Sequence, residues 1–134
     1  MRKIRGRPLV EGIATGELLV SHEPISFYGG VDPITGKVVE PGHPLEGESL
    51  AGKILIFPYG KGSTVGSYVI LRLRRRGLAP AGIVNVESEP IIVVGCMISS
   101  IPLMDRPAED TLSLKTGIKA RLVVKEHEAY LEVP

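Results

Sequence analysis

Residues 54–77, ILIFPYGKGSTVGSYVILRLRRRG, constrain the fold more than any other part of the chain. The apolar run GKILIFP, residues 52–58, is bounded by a glycine and a proline and reads as a buried strand. A loop follows in which Ser63, Thr64 and Ser67 stand among Gly60, Gly62 and Gly66. Val65, Val69 and Leu73 then recur at i, i+4 and i+8, which predicts a helix over residues 64–76. Arg74, Arg75 and Arg76 lie in its last turn, where cations suit the helix dipole, and Gly77 suits the position just past its end. A strand, a glycine-rich turn carrying hydroxyls and a helix therefore follow one another.

Residues 4–20 alternate short apolar pieces with glycine and read as one or two strands with a bend at Gly12 or Gly16. Residues 21–50 hold Pro24, Gly29, Gly30, Pro33, Gly36, Pro41, Gly42, Pro44 and Gly47, which leaves little room for regular structure. Phe27, Tyr28, Val31 and Ile34 within that stretch argue for an ordered loop, and VDPITG has turn chemistry, with Asp32 as an Asx-turn residue and Gly36 at positive φ. Further strands are expected over 81–87, 101–105, 119–125 and 128–133, with a turn at Gly117. The apolar run 90–98 fits either a short helix or a strand. Strands dominate, so the fold class is β-rich α/β, in one domain spanning residues 1–134. A domain of this length buries about two thirds of its unfolded surface, so folding needs neither a metal nor a disulfide.

Charge and composition exclude several classes. Sixteen basic and 15 acidic side chains leave a net charge of +1, and aromatics are 4% with no Trp. Neither an electrostatic footprint for nucleic acid or a membrane surface nor a set of rings for base stacking is present. No apolar run approaches the length of a membrane span, and the basic N-terminus has no apolar segment behind it, so a soluble cytoplasmic protein is expected. Cys96 is the single cysteine and reads as a small buried hydrophobe. His22, His43 and His127 share no metal-ligand spacing and are expected in surface or loop roles. Gln is absent, Asn85 is the only Asn and proline occurs 11 times, a composition on the heat-adapted menu.

The glycine loop fails both nucleotide fingerprints. Lys61 precedes Gly62 where a phosphate-binding P-loop needs the lysine after its last glycine, and Gly66 falls one position late for the dinucleotide pattern. What remains is a turn at a helix N-terminus, where unpaired N–H groups and the dipole favour an anion. Plain N-capping by Ser63 or Thr64 needs only one hydroxyl, contributing about 1 kcal/mol. The flanking glycines and Lys61 exceed that requirement and favour a site. Arg72, Arg74, Arg75 and Arg76 read as a solvated helix end, with a subunit contact or a phosphate anchor as the alternative role.

Taken together, GGVDPITG, the HPL-x-G at 43–47, GKILIFP-x-GKGSTVGS and G-x-APAGIV resemble the swivel-domain, or small-subunit, half of the aconitase X family over most of the chain. The resemblance implies the swivelling β/β/α domain seen as the mobile last domain of aconitases. It implies a large-subunit partner carrying an iron–sulfur cluster, since one cysteine cannot hold a cluster. The implied reaction is dehydration of (R)-5-phosphomevalonate, a small carboxylate and phosphate substrate, to trans-anhydromevalonate 5-phosphate in the archaeal mevalonate route. The small subunit of a cis-3-hydroxyproline dehydratase, or a non-catalytic interaction module, is the alternative. The family's proton-accepting serine maps to Ser63, with Ser67 as the competing position. Lys61, Gly62, Thr64 and Asp32 are the expected substrate contacts. A free hydroxyl is a poor base, so Ser63 needs the helix N-terminus, backbone N–H groups and Lys61 around it. Phe27 and Tyr28 are candidates for the subunit interface, and closure of the domain onto its partner is expected to complete the site.

Overall fold

Alternation along the strands divides the core in two. In the computed structural model, which describes residues 1–134, Ile54 and Ile56 of β3 (Ile54–Phe57) point to one side and Leu55 and Phe57 to the other, all four fully buried. A strand buried on both faces is a continuous apolar run, as this one is. The first face joins a cluster lined by Ile4, Leu18, Val84, Met104, Leu122 and Leu131. The second packs on Ile70, Leu73, Ile92 and Cys96 of two helices.

The first side is the inside of a closed barrel. Its strands are β1 (Arg2–Val10), β2 (Gly12–Val20), β3, β4 (Gly82–Asn85), β5 (Leu103–Asp105), β6 (Lys119–Val124) and β7 (Ala129–Val133). Around the barrel the order is β1-β5-β4-β3-β2-β6-β7. Strands β2, β3, β4 and β5 run parallel to one another, whereas every pairing made by β1, β6 and β7 is antiparallel. The mixed barrel with its few helices is the β-rich α/β class expected.

Residues 4–20 form two strands, and the chain turns at Glu11 and Gly12 rather than bending within one strand. The run at 90–98 is a helix, α3 (Pro90–Ser99), because Glu89 caps it through the N–H groups of Ile91 and Ile92 and Pro90 occupies its first turn. The helix α2 spans Gly66–Arg75, shorter by two residues at the start than the periodicity predicts. Between β2 and β3 the long excursion is ordered. It holds α1, a single turn over Phe27–Gly30, and the isolated bridges Val31↔Val38 and Lys37↔Ser49. Phe27, Val31, Val38, Leu45 and Leu50 bury themselves in the outer core, and the Phe27 ring sits 6.3 Å from that of Phe57. Phe27 is therefore core and unavailable to an interface, while Tyr28 is exposed. His43 has the expected loop position but not a surface one. It is buried, and its Nδ1 accepts from the Leu45 N–H at 3.0 Å.

Candidate active site

The glycine loop leaves β3 at Pro58 and crosses the carboxyl end of the parallel strands, where open α/β sheets place their ligands. Two distant segments hold it. Ile25 donates its N–H to the Tyr59 carbonyl at 3.3 Å and accepts from Lys61 at 3.0 Å, making a parallel bridge with Gly60. A Cβ at Gly60 would lie 2.5 Å from Glu89 Oε1 and 2.6 Å from Ile92 Cγ1. Gly62 has φ +90°, and a Cβ there would lie 2.5 Å from Ser26 Oγ. Both positions therefore require glycine, one for close approach and one for its backbone.

Pinned this way, the loop presents donors to solvent. The backbone N–H groups of Gly62, Ser63 and Thr64 donate to nothing within the chain, and all three residues are exposed. Successive free N–H groups beside a left-handed glycine are a backbone arrangement able to accept an anion. Helix α2 begins two residues later with no acidic side chain in its first turn, so its dipole adds to the positive potential. Neither Ser63 nor Thr64 caps α2, whose first residue has no side-chain cap. Ser63 Oγ instead accepts from the Val65 N–H at 3.2 Å. A donor on that oxygen favours its deprotonated form.

The remaining expected residues divide. Ser67 is buried, and its hydroxyl donates to the Ile91 carbonyl at 2.7 Å, linking α2 to α3. Lys61 is half-exposed, with Nζ 3.9 Å from Glu40 Oε2, a loose pair. Thr64 borders a depression of about 270 Å³ shared with Tyr68 and Val94. Asp32 accepts from the Ile34 N–H at 2.8 Å through its carboxylate and from Gly36 through its carbonyl, an Asx turn. It lines an adjoining groove of about 310 Å³ with Tyr28, Val65 and Arg72, rather than the mouth at Ser63. Arg74 is more than a solvated helix end, since its Nε donates to the Ser99 carbonyl at 3.1 Å.

Sequence reasoning missed the wall beside the loop. The buried Asn85 donates to the Phe57 carbonyl at 3.0 Å and accepts from the Ser88 hydroxyl at 2.8 Å. Asp105, fully buried, accepts from the Ser88 N–H and from Nε and Nη2 of Arg7, all at 2.8 Å. That hydrogen bond raises the pKa of the Arg7 guanidinium. Arg106, at φ +48°, holds Glu87 with two bonds of 2.9 and 3.1 Å, which keeps the Glu87 carboxyl below the usual range. The pairing of Glu89 with Pro90 was the one available signal, a cap followed by proline at a helix start.

An iron–sulfur cluster does not fit this chain. Cys96 is fully buried, burial pushes its thiol far up, and no group of three or more His, Cys, Asp or Glu side chains is placed to hold a metal ion. No helix is long and apolar enough to cross a membrane.

Comparison with known proteins extends these observations. A phosphomevalonate dehydratase small subunit of Methanosarcina acetivorans is 51% identical over 98% of this chain and 90% of its own length. One of Pyrococcus abyssi is 50% identical over 90% of this chain and 91% of its own. A chain in the crystal structure of Thermococcus kodakaraensis aconitase X in its holo-form superimposes with a TM-score of 0.92 at 47% identity, covering 100% of this chain and 99% of that one. The family model for the aconitase X swivel domain matches residues 3–133. The chain belongs to the aconitase X swivel domain family.

Proposed function

We propose that this chain is the small subunit of a two-chain hydro-lyase that dehydrates (R)-5-phosphomevalonate, and that Ser63 is its proton acceptor. The observation that carries the reading is the exposed Ser63 hydroxyl, whose oxygen accepts an N–H beside three unpaired backbone donors. Relatives at about half identity over nearly their full length bear the matching name, which supports the substrate assignment. In this reading the large subunit would hold the iron–sulfur cluster, and the chemistry the cluster would supply there is Lewis acidity at the hydroxyl that leaves.

The chemistry of this chain's residues is proton removal. Ser63, having lost its proton to solvent, takes the proton from the carbon next to the substrate carboxylate. The C–H electron pair becomes the C=C bond of trans-anhydromevalonate 5-phosphate, and the hydroxyl leaves on the partner's side. The N–H groups of Gly62, Ser63 and Thr64 hold an anionic substrate oxygen, and Lys61 adds positive charge at the mouth. Ser67 serves the reading less well, because its proton is committed to Ile91 and its oxygen is buried.

The test is to purify the chain with its large subunit and supply (R)-5-phosphomevalonate and cis-3-hydroxyproline in parallel. Formation of trans-anhydromevalonate 5-phosphate is the expected result. Turnover of cis-3-hydroxyproline alone moves the activity to the sister substrate. A stable pair that dehydrates neither leaves only an interaction module.

A further inference from the structure

The outer faces of α2 and α3 carry an apolar surface that the barrel does not use. Helix α3 has no charged side chain in its ten residues, yet Val94, Met97 and Ile98 are exposed, Met97 at 61%. From α2, Tyr68 is 64% exposed and meets Val94 across the depression that Thr64 borders. Solvated helices ordinarily carry charge on such a face. Charge depletion with exposed Tyr and Met is the composition of an interface core.

The same stripe has a basic end. Val65, just before α2, and Tyr68, Arg72 and Arg75 within it fall at i, i+3, i+7 and i+10 and share one face, and both arginines are exposed. Neither helix contains an acidic residue. A second copy of this chain docked through the same face would set Arg72 and Arg75 of each copy against the single Asp32 that lines the groove beside Arg72, and would bring like charges together. The surface therefore fits a different polypeptide, one with an apolar centre and carboxylates opposite Arg72 and Arg75.

We infer that the α2–α3 face, centred on Tyr68, Val94 and Met97, is the docking surface for the large subunit. The inference rests on the two-chain reading above. It is favoured because the face is continuous with the glycine loop through Thr64, so a partner seated there covers the mouth at Ser63. Docking and completion of the site are then one event.

Binding is measured with the large subunit immobilised and this chain in solution, with turnover recorded separately. Val94→Glu and Met97→Glu, both on outward positions, are expected to weaken binding by at least about tenfold each, as burying an unpaired charge in an interface core requires. Tyr68→Ala, which adds no charge, is expected to weaken it in the same direction. Thr15→Glu, on the barrel wall opposite Arg121 of β6, is expected to bind as wild type. Melting curves confirm that each variant is folded. If wild type binds and turns over while all three face variants bind equally well, the docking surface is wrong and the function stands. If Val94→Glu instead dissociates a self-dimer without affecting the large subunit, the face belongs to a second copy and the inference is overturned. If wild type never binds the large subunit, the proposed function falls and the inference falls with it.

Discussion

Replacing Gly60 by Ala tests how the site loop is held. The new Cβ would stand 2.5 Å from Glu89 Oε1 and 2.6 and 2.8 Å from Cγ1 and Cδ1 of Ile92. Neither neighbour is free to yield. Glu89 is fixed by the N–H groups of Ile91 and Ile92 at 2.8 and 3.3 Å, and Ile92 is fully buried. Overpacking of this kind costs about 1–3 kcal/mol. Displacing the Glu89 cap adds about 1 kcal/mol. The expected loss is about 2–4 kcal/mol, which lowers Tm by on the order of 10 °C in a domain of this size. Urea unfolding followed by circular dichroism measures it. Gly62→Ala is the comparison. Its φ of +90° costs about 1–2 kcal/mol in a residue with a side chain, but the group it meets is the end of the half-buried Ser26. Gly62→Ala should therefore destabilise less than Gly60→Ala and impair turnover at least as much. A Gly60→Ala chain within about 0.5 kcal/mol of wild type would show that the Glu89–Ile92 wall moves freely and that the loop is not pinned.

Two further outcomes concern the wall beside the loop and the surface carboxylates. Asp105→Asn leaves Arg7 without its counter-charge and opposes an amide to the Ser88 N–H. It should cost about 2–4 kcal/mol in urea unfolding, somewhat under the figure for a fully buried pair because Arg7 is 39% exposed, and a change under about 1 kcal/mol would contradict the pairing. Glu87 and Glu128 are held below the ordinary carboxylate range by hydrogen bonds from Arg106 and Arg5. Their contribution is complete above that range and is lost as pH falls through the lowered folded values, so the urea midpoint should drop below about pH 4, less steeply in Glu87→Gln at low salt. An acid limb identical in the variant would remove Glu87 from the account.

Local pattern carried the elements and left their closure unseen. Helix α2 was legible because Val65, Val69 and Leu73 repeat at helical spacing and the arginines and Gly77 mark its end. Its first turn was misplaced because Ser63 and Thr64 look like caps, whereas the loop's attachments to Ile25, Ser26 and Glu89 decide where the helix starts. The run at 90–98 was ambiguous because α3 is apolar on nearly every side, which erases its periodicity. The barrel depends on β1 pairing with β7 from the far end of the sequence, and short-range pattern holds no information on such contacts. The site divides in the same way. Lys61, Gly62, Ser63 and Thr64 are consecutive, so a glycine loop with hydroxyls announces them. Ser26, Glu40 and Glu89 arrive from segments that only folding brings together. Asp32 was legible as a turn residue because its chemistry is local.

The central claim is that the exposed Ser63 oxygen removes the substrate proton. The direct measurement is turnover of (R)-5-phosphomevalonate by the two-chain complex carrying Ser63→Ala, beside Ser67→Ala, with assembly checked by native mass. The account predicts that Ser63→Ala assembles normally and loses about 10²–10⁴-fold in kcat, while Ser67→Ala keeps its turnover and loses about 1 kcal/mol of stability. Near-normal turnover by an assembled Ser63→Ala complex would contradict it.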